Sequence, residues 1–173
     1  DMAGLNKKKE FCVWAHFDEE SSLALNHIKE RVNANLSGPK FEAHLTLVGS
    51  LESVDSSTSD ALSLISKKYE PFVVKTNGVQ MKDKFFQALF IKIKEEKHLI
   101  KFRNEIAKSL NVNLKQFFPH VSLYYGREPA KKKDQVKKGL LFIPDELKVD
   151  RITLVDTTKD IKLWNVIKTF PLK

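Results

Sequence analysis

Two short segments, one in each half of the chain, repeat one arrangement of residues and constrain the fold more than any other feature. The first, FEAHLTLVGS, covers 41–50, and the second, FFPHVSLYYG, covers 117–126. In each, a histidine has a phenylalanine three positions before it, a hydroxyl residue two positions after it and a leucine three positions after it. Both segments are rich in β-branched, aromatic and apolar residues, so each predicts a β-strand. A fold that satisfies both must give each strand one apolar face and one polar face.

The alternation of side chains along a strand assigns the polar groups to one face. Because successive side chains point to opposite faces, His44 and Thr46 share a face, and so do His120 and Ser122. The apolar residues between them belong to the other face, which packs into the core. The polar faces therefore border something other than the core, and the simplest arrangement is a cleft shared by the two strands.

The rest of the chain alternates strands and helices without a linker or a break in composition. Alternating patterns predict strands at 11–17, 41–48, 85–94, 117–125, 149–156 and 161–170, and two strands joined by an Asn-Gly turn within 72–81. Helical spacing predicts helices that follow DEESS (18–22), at 56–69 and 95–110, and in the lysine-rich stretch up to about 140. The halves are loosely similar, so we expect one α+β domain over 1–173, with the strands paired within each half around one cleft and the helices outside.

Composition restricts the class of protein. Of the 173 residues, 42% are hydrophobic and 30% are charged, which is an ordinary globular balance. The single cysteine, Cys12, excludes an internal disulfide, and no Cys/His cluster has the spacing of a zinc site. No apolar run has the length of a membrane-spanning helix. We therefore expect a cytoplasmic monomer with no membrane partner.

The charge indicates the kind of partner without identifying it. The formal net charge is +8, and lysines cluster at 7–9 and 131–138. A basic protein attracts anions such as phosphates and RNA over a long range. Each lysine cluster taken alone is more ordinarily a solvated surface, so the charge permits a phosphate substrate, and the role of 131–138 stays open.

Two imidazoles and two hydroxyls facing one cleft suit a particular reaction. Imidazole titrates near neutral pH, so one ring can accept a proton while the other donates one, and hydroxyls can hold phosphate oxygens. Water could then open a cyclic phosphodiester without a metal ion or cofactor. We assign His120 as the base toward water and His44 as the acid toward the leaving oxygen, although the sequence allows the roles to be exchanged. One H-x-[ST] is a weak signal, whereas two in matching strands are a strong one.

At these motifs the chain resembles the two-histidine phosphoesterase superfamily, and within it the plant and yeast type of cyclic phosphodiesterase. The likeness extends over nearly the whole chain, and Ala43 is a departure because the family often has proline there. The similar stretches are VWAHFDEES (13–21), SGPKFEAHLTLVGS (37–50), KFFQALFIKIK (84–94), FFPHVSLYYG (117–126) and the strand around Trp164.

The resemblance implies a fold, an activity and a set of site residues. It implies a bilobal fold with two pseudo-symmetric lobes, whose antiparallel sheets line a central cleft. It implies hydrolysis of 2′,3′-cyclic nucleotides to 2′-phosphates, or of ADP-ribose 1″,2″-cyclic phosphate to ADP-ribose 1″-phosphate. His44, Thr46, His120 and Ser122 would line the phosphate pocket. Contacts to the base or ribose would come from three aromatic residues, Trp14, Phe86 and Tyr125.

Several alternatives stay open on sequence grounds. The substrate could instead be a 2′–5′ linked oligonucleotide or an RNA end, or the protein could be a basic RNA-binding module without turnover. Trp14 and Phe86 could be core residues, and only one of Tyr124 and Tyr125 can face the cleft. His16 shares a strand face with Trp14 and could approach the pocket. The remaining histidines, His27 and His98, lie in predicted helices and are expected at the surface.

Overall fold

Within residues 8–173, seven β-strands form the centre of the protein, and four α-helices pack around them. The computed structural model describes residues 8–173, so the first seven residues, with Lys7 of the 7–9 cluster, lie outside the described part. The strands there are β1 (Phe11–Phe17), β2 (Leu45–Leu51), β3 (Phe72–Met81), β4 (Leu89–Ile93), β5 (His120–Tyr124), β6 (Glu146–Asp156) and β7 (Asn165–Pro171). The helices are α1 (Glu19–Asn33), α2 (Ser56–Lys68), α3 (Lys97–Ser109) and α4 (Ala130–Gly139). The predicted α+β class is confirmed.

Capping residues fix where the first two helices begin. The side chain of Asp18 accepts a hydrogen bond from the backbone N–H of Ser21, which starts α1 within the acidic and serine-rich stretch that the sequence indicated. Asp55 caps α2 in the same way, and the hydroxyl oxygen of Thr58 accepts a hydrogen bond from the backbone N–H of Asp55. These contacts satisfy N–H groups that a helix start otherwise leaves without partners.

The strand order makes the two halves of the chain equivalent. Neighbouring strands follow the order β1-β2-β5-β4-β3-β6-β7, all antiparallel, and β1 also pairs with β6. The pairs β1–β2 and β4–β5 are counterparts, and so are β6–β1 and β3–β4. The expected pairing within each half holds for β1–β2, β4–β5 and β6–β7, whereas β3 pairs with β4 and β6 of the other half, and β6 also pairs with β1 of the other half. Each half thus contributes a strand to the other.

Several element boundaries differ from the sequence predictions. The hairpin predicted within 72–81 is wrong, because β3 runs straight through Asn77 and Gly78 with a shift of register between Thr76 and Val79. Gly78 has φ 79° and accommodates the extra residue of a bulge rather than a reversal of the chain. Phe85–Gln87 forms a short 3-10 turn before β4, and Ile161–Leu163 forms another before β7.

The apolar faces of the two histidine strands lie in the core, as predicted. Leu45 and Val121 are fully buried, and Cys12 is a buried free thiol. The helices cover the outer surface, with α1 on β1, β5 and β6 and with α3 on β2. Between residues 8 and 173, no helix has the length and apolar character that crossing a bilayer requires.

Candidate active site

The two histidine motifs meet where β2 and β5 touch. These strands share one registered antiparallel pair, Leu45 with Val121. Extending that register by one residue in each direction sets His44 opposite Ser122, and Thr46 opposite His120. Residues that face each other across an antiparallel pair project to the same side of the sheet. All four polar side chains therefore share the face opposite the buried Leu45 and Val121.

Both imidazoles are held by the same kind of hydrogen bond. Nδ1 of His44 lies 2.7 Å from the carbonyl oxygen of Glu42, and Nδ1 of His120 lies 2.7 Å from that of Phe118. A carbonyl oxygen only accepts, so Nδ1 carries the proton in each ring. Nε2 of each ring is therefore the atom with a free lone pair. The two motifs thus present the same tautomer.

His44 lies beneath an indole ring. The rings of Trp14 and His44 are stacked, with centroids 3.6 Å apart and an angle of 11° between their planes. His44 is only 5% exposed, and this burial is the main cause that lowers its pKa from 6.5 to about 3. The hydrogen bond to Glu42 opposes that shift. In the free protein His44 is accordingly neutral at physiological pH.

His120 is more accessible and has different neighbours. Its ring contacts Phe90 and Phe118, with centroid distances of 5.3 and 5.2 Å. Burial lowers the pKa of His120, and the positive charges of Lys92 and Lys82 lower it further, whereas the carbonyl of Phe118 raises it. His120 is half-buried, so water reaches this ring more easily than it reaches His44.

The two hydroxyl residues differ in their access to the cleft. Thr46 is half-buried and lines the cavity, whereas Ser122 is buried just behind it. The Ser122 hydroxyl donates a long hydrogen bond of 3.4 Å to the carbonyl oxygen of Phe86. The Thr46 hydroxyl is therefore the more directly available of the two to a ligand.

One cavity contains six of the seven residues that the sequence selected. Its volume is about 1130 Å³, and its walls include residues from the start of β1, the turn after β6 and the loop before β7. Ser122 is the selected residue that does not line it. The six that do are Trp14, His44, Thr46, Phe86, His120 and Tyr125.

The structure places each aromatic residue for which the sequence left a choice between the core and the cleft. Phe86 is 53% exposed at the mouth, whereas Trp14 is buried and still forms part of the wall. Tyr125 lines the cavity, while the buried Tyr124 donates its hydroxyl hydrogen to the carbonyl oxygen of Ser37. His16 is buried on the same face as Trp14, with ring centroids 5.9 Å apart.

Trp164 is a cavity residue that the motif analysis did not select. Its ring is nearly parallel to that of Phe86, at 18° and 6.3 Å between centroids. Tyr125 stands across both, at 67° to Phe86 and 70° to Trp164. Together the three rings form two walls and a floor. Trp164 comes near the end of the chain in a segment without a motif of its own, so only its likeness to the family's terminal strand pointed toward it.

Within the described residues, no group of three or more His, Cys, Asp or Glu side chains is arranged to hold a metal ion. The imidazole and hydroxyl groups of the cleft can donate hydrogen bonds to an anion, and the imidazoles can also exchange protons with it.

Comparison with known proteins identifies the family. Residues 17–161 match the family model of the 2′-5′ RNA ligase superfamily. The chain belongs to this superfamily, the two-histidine phosphoesterases. The resemblance inferred from the two H-x-[ST] motifs is therefore confirmed at the level of the superfamily.

Individual relatives agree with this assignment. A cyclic phosphodiesterase of Arabidopsis thaliana is 20% identical over 170 residues, which is 93% of this chain and 94% of the relative. Escherichia coli LigT complexed with phosphate has a TM-score of 0.59 at 16% identity, covering 97% of this chain and 99% of LigT. TT0787 of Thermus thermophilus has a TM-score of 0.64 at 17% identity, covering 94% of this chain and 97% of TT0787. The solved structures share the superfamily fold, and the family as a whole supports phosphoesterase chemistry.

Proposed function

We propose that this protein hydrolyses small cyclic phosphodiesters, either 2′,3′-cyclic nucleotides to 2′-phosphates or ADP-ribose 1″,2″-cyclic phosphate to ADP-ribose 1″-phosphate. The observation that carries the proposal is the interleaved register of β2 and β5, which gives two histidines and two hydroxyl residues one common face. In addition, both imidazoles keep Nε2 free of the hydrogen bonds that orient them. Two such groups on one face suit a phosphorus atom that is attacked on one side and loses an oxygen on the other.

The reaction on a 2′,3′-cyclic nucleotide balances with these residues alone. His120 takes a proton from water as its oxygen bonds to phosphorus, and the bond from phosphorus to the 3′ oxygen breaks. His44 gives its proton to that oxygen, which leaves a 2′-phosphate and a free 3′ hydroxyl. Thr46 and Ser122 donate hydrogen bonds to the non-bridging oxygens, where negative charge develops. Proton exchange with solvent then restores both histidines.

Two observations support His120 as the base. Water has better access to the half-buried His120 than to His44. A general base must be able to bind a proton. Burial lowers the pKa of His44 to about 3, so His44 is a weak base in the free protein.

His44 suits the acid role once substrate is bound. The negative charge of a bound phosphodiester favours the imidazolium, and the Trp14 ring stacked on His44 also stabilises a cation. His44 therefore takes up its proton together with the substrate rather than before it.

The three rings around the cavity mouth support a nucleotide as the organic part of the substrate. A flat ring between two aromatic walls needs about 7 Å, twice the usual contact distance of about 3.5 Å. The ring centroids of Phe86 and Trp164 are 6.3 Å apart. A small outward movement of the exposed Phe86 ring would therefore make room for a base between the two rings. Stacking of this kind binds any base without reading its identity.

The cavity has room for a substrate larger than a mononucleotide. At about 1130 Å³ it is slightly larger than the ~300–1,000 Å³ typical of small-molecule sites. This room favours ADP-ribose cyclic phosphate over a mononucleotide. It also supports the second candidate, a 2′–5′ linked oligonucleotide or RNA end. LigT has been solved with phosphate and with 3′-AMP, so a related protein accepts such ligands.

Phosphorus NMR of the two cyclic phosphates, incubated with the protein and EDTA, tests the proposal. We expect a 2′-phosphate or a 1″-phosphate at an unchanged rate with EDTA, because the step as written uses only side chains. Competition by a 2′–5′ linked trinucleotide, with binding that weakens steeply in salt, would favour the second candidate. Salt-dependent RNA binding without any product from cyclic or oligomeric substrates would overturn the enzymatic proposal in favour of an RNA-binding module.

A further inference from the structure

Each candidate catalytic histidine depends on a carbonyl oxygen in a part of the chain that lacks regular structure. Glu42 lies in residues 37–44, which form neither helix nor strand, and Phe118 lies in residues 112–119, which also form neither. Such segments have no regular ladder of backbone hydrogen bonds to fix their carbonyl groups. Something else must hold the two oxygens that set the tautomers of His44 and His120.

In the first half, His16 contacts the residue that holds His44. β1 and β2 pair Ala15 with Leu45, so the next residue, His16, stands opposite His44. Nδ1 of His16 lies 3.3 Å from a carboxylate oxygen of Glu42, and Nε2 lies 2.9 Å from the hydroxyl oxygen of Thr153. His16 is buried and therefore has few other positions available. It joins the fixed strand β6 to the side chain of Glu42.

Two more side chains act on the same segment. A guanidinium nitrogen of Arg151 lies 3.7 Å from the Glu42 carboxylate, and Lys29 of α1 donates to the carbonyl oxygen of Phe41. The hydrogen bond from His16 is the largest cause that lowers the pKa of the Glu42 carboxyl. Because the Glu42 side chain is 59% exposed, its ion pair with Arg151 alone would be weak, and the buried His16 is the more effective anchor.

In the second half, Lys92 occupies the equivalent position. β4 is the counterpart of β1, and its residue Lys92 pairs directly with His120 across β4 and β5. Nζ of Lys92 donates to the carbonyl oxygen of Pro119 at 3.2 Å and to that of Ile93 at 3.1 Å. The same oxygen also accepts from the backbone N–H of Ile93, so Lys92 adds a side-chain donor to a carbonyl group that β4 already holds. Lys92 also contacts Phe118 itself, because its Nζ lies 4.7 Å from the centre of the Phe118 ring.

We propose that His16 and Lys92 are a matched pair of positioning residues, each holding the segment whose carbonyl oxygen sets the tautomer of the neighbouring histidine. The duplicated geometry supports this, because two side chains at equivalent positions each contact the segment before the neighbouring histidine, His16 through the Glu42 carboxylate and Lys92 through the Pro119 carbonyl oxygen.

Without the anchor, the carbonyl moves away from Nδ1, and the proton redistributes between the two ring nitrogens. For His120, a proton on Nε2 leaves no lone pair for the cleft, so the ring cannot start the cycle as a base. For His44, loss of the carbonyl acceptor removes a contact that favours the imidazolium, which the acid role requires. The kinetic part of this inference rests on the proposed function, whereas the tautomer part does not.

The test uses substitutions that keep or remove the donor at nearly constant size. His16→Leu and Lys92→Met remove it, while His16→Asn and Lys92→Arg keep it. We expect kcat to fall about 10-fold in the first pair, the lower end of the usual cost of losing such a group, with KM changed less than about twofold. The second pair should stay close to the parent protein. His27→Leu and Lys94→Met change exposed residues of the same types and serve as controls.

The readout independent of activity is the nitrogen-15 NMR spectrum of the histidine rings. His16→Leu should move His44, but not His120, away from the Nδ1–H form, and Lys92→Met should do the reverse. If both rings keep the Nδ1–H form in these variants, or if the controls change them equally, the inference is overturned even if kcat falls. If the parent protein opens no cyclic phosphodiester but each variant alters its own histidine, the proposed function fails and the inference stands.

Discussion

The two halves of the protein build the same motif with different surroundings. In both, a strand carries H-x-[ST], and the backbone carbonyl of the residue two positions before the histidine accepts from Nδ1 of its ring. In both, the neighbouring strand in the sheet supplies an aromatic ring opposite the hydroxyl residue. In the first half that ring is Trp14, which pairs with Thr46 and stacks flat on His44. In the second half it is Phe90, which pairs with Ser122 and meets His120 edge-on at 67°.

Under the proposed function, this difference allows one duplicated motif to perform two tasks. Burial beneath an indole removes His44 from water and makes its imidazolium dependent on a bound anion. His120, half-buried and flanked by lysines, stays accessible to water. The backbone geometry gives both rings the same tautomer, so in the proposed mechanism it is the environment that separates the acid from the base. Substitutions around His44 and around His120 can test this difference separately.

The largest effect is expected from removing either imidazole. His44→Ala and His120→Ala should each lower kcat by about 10² to 10⁴-fold, the usual share of general acid–base catalysis. A p-nitrophenyl phosphodiester has a leaving group that needs no acid, so it should restore most of the loss in His44→Ala and little in His120→Ala. The comparison of the two variants on both substrates is the measurement. The same leaving-group dependence in both variants would contradict the division of roles, and the reverse dependence would exchange them.

The hydroxyl residues should be unequal. Thr46→Val removes a donor that lines the cavity, and we expect kcat to fall about 10²-fold, as for other transition-state donors. Ser122→Ala removes a hydroxyl that lies behind the wall and donates to Phe86, and we expect about a 10-fold loss, the size of one ordinary hydrogen bond. Steady-state kinetics on 2′,3′-cyclic AMP measures both. A larger loss in Ser122→Ala would show that the cleft rearranges on binding.

The aromatic walls should affect binding rather than chemistry. Trp164→Ala and Phe86→Ala should raise KM about 10-fold, within the ~1–3 kcal/mol that stacking on one base supplies. Leu163→Ala changes the exposed neighbour of Trp164 and should have no effect. Ribose 2′,3′-cyclic phosphate lacks a base, so its KM should not respond to either wall variant. A KM for this base-free substrate that rises as much as that of cyclic AMP would refute the stacking role.

The last effect concerns the stability of the protein rather than its activity, and is expected in the pH dependence of unfolding. In the unfolded chain His44 becomes protonated below about pH 6.5, whereas in the folded protein it stays neutral down to about pH 3. The free energy of unfolding should therefore fall as the pH is lowered through this range, by up to about 1.4 kcal/mol per pH unit from His44. His120 adds in the same direction, because its pKa is also lowered. Urea unfolding at pH 7 and pH 5 measures the loss, which should shrink in both His44→Asn and His120→Asn, and more in His44→Asn. An unchanged loss in His44→Asn would contradict the shift.

The sequence predicted the strands and the paired motifs because those rest on local periodicity. The shared face of each H-x-[ST] follows from the alternation of side chains alone. The order of strands did not follow, because the exchange of β3 and β6 between halves is decided by contacts between distant segments. The Asn-Gly pair at 77–78 illustrates this limit, since the same residues allow a turn or a bulge and the neighbouring strands β4 and β6 select the bulge.

For the candidate site, the H-x-[ST] residues were predicted from their motif and the three aromatic residues from the family resemblance, whereas the contacts of Trp164, His16 and Lys92 were not predicted. Trp164, His16 and Lys92 stand in ordinary sequence surroundings and reach the site only through the register of β1, β4 and β6 and the path of the loop before β7. No local pattern encodes a position opposite a histidine on a neighbouring strand.

Nitrogen-15 NMR of the five histidines, titrated with inorganic phosphate, tests most directly whether one anion is flanked by both rings. We predict that the Nε2 resonances of His44 and His120 shift together with a single Kd, and that proton uptake accompanies binding. The surface rings of His27 and His98 should not respond. A shift of only one of the two rings, or none while lysine resonances move, would contradict a shared site.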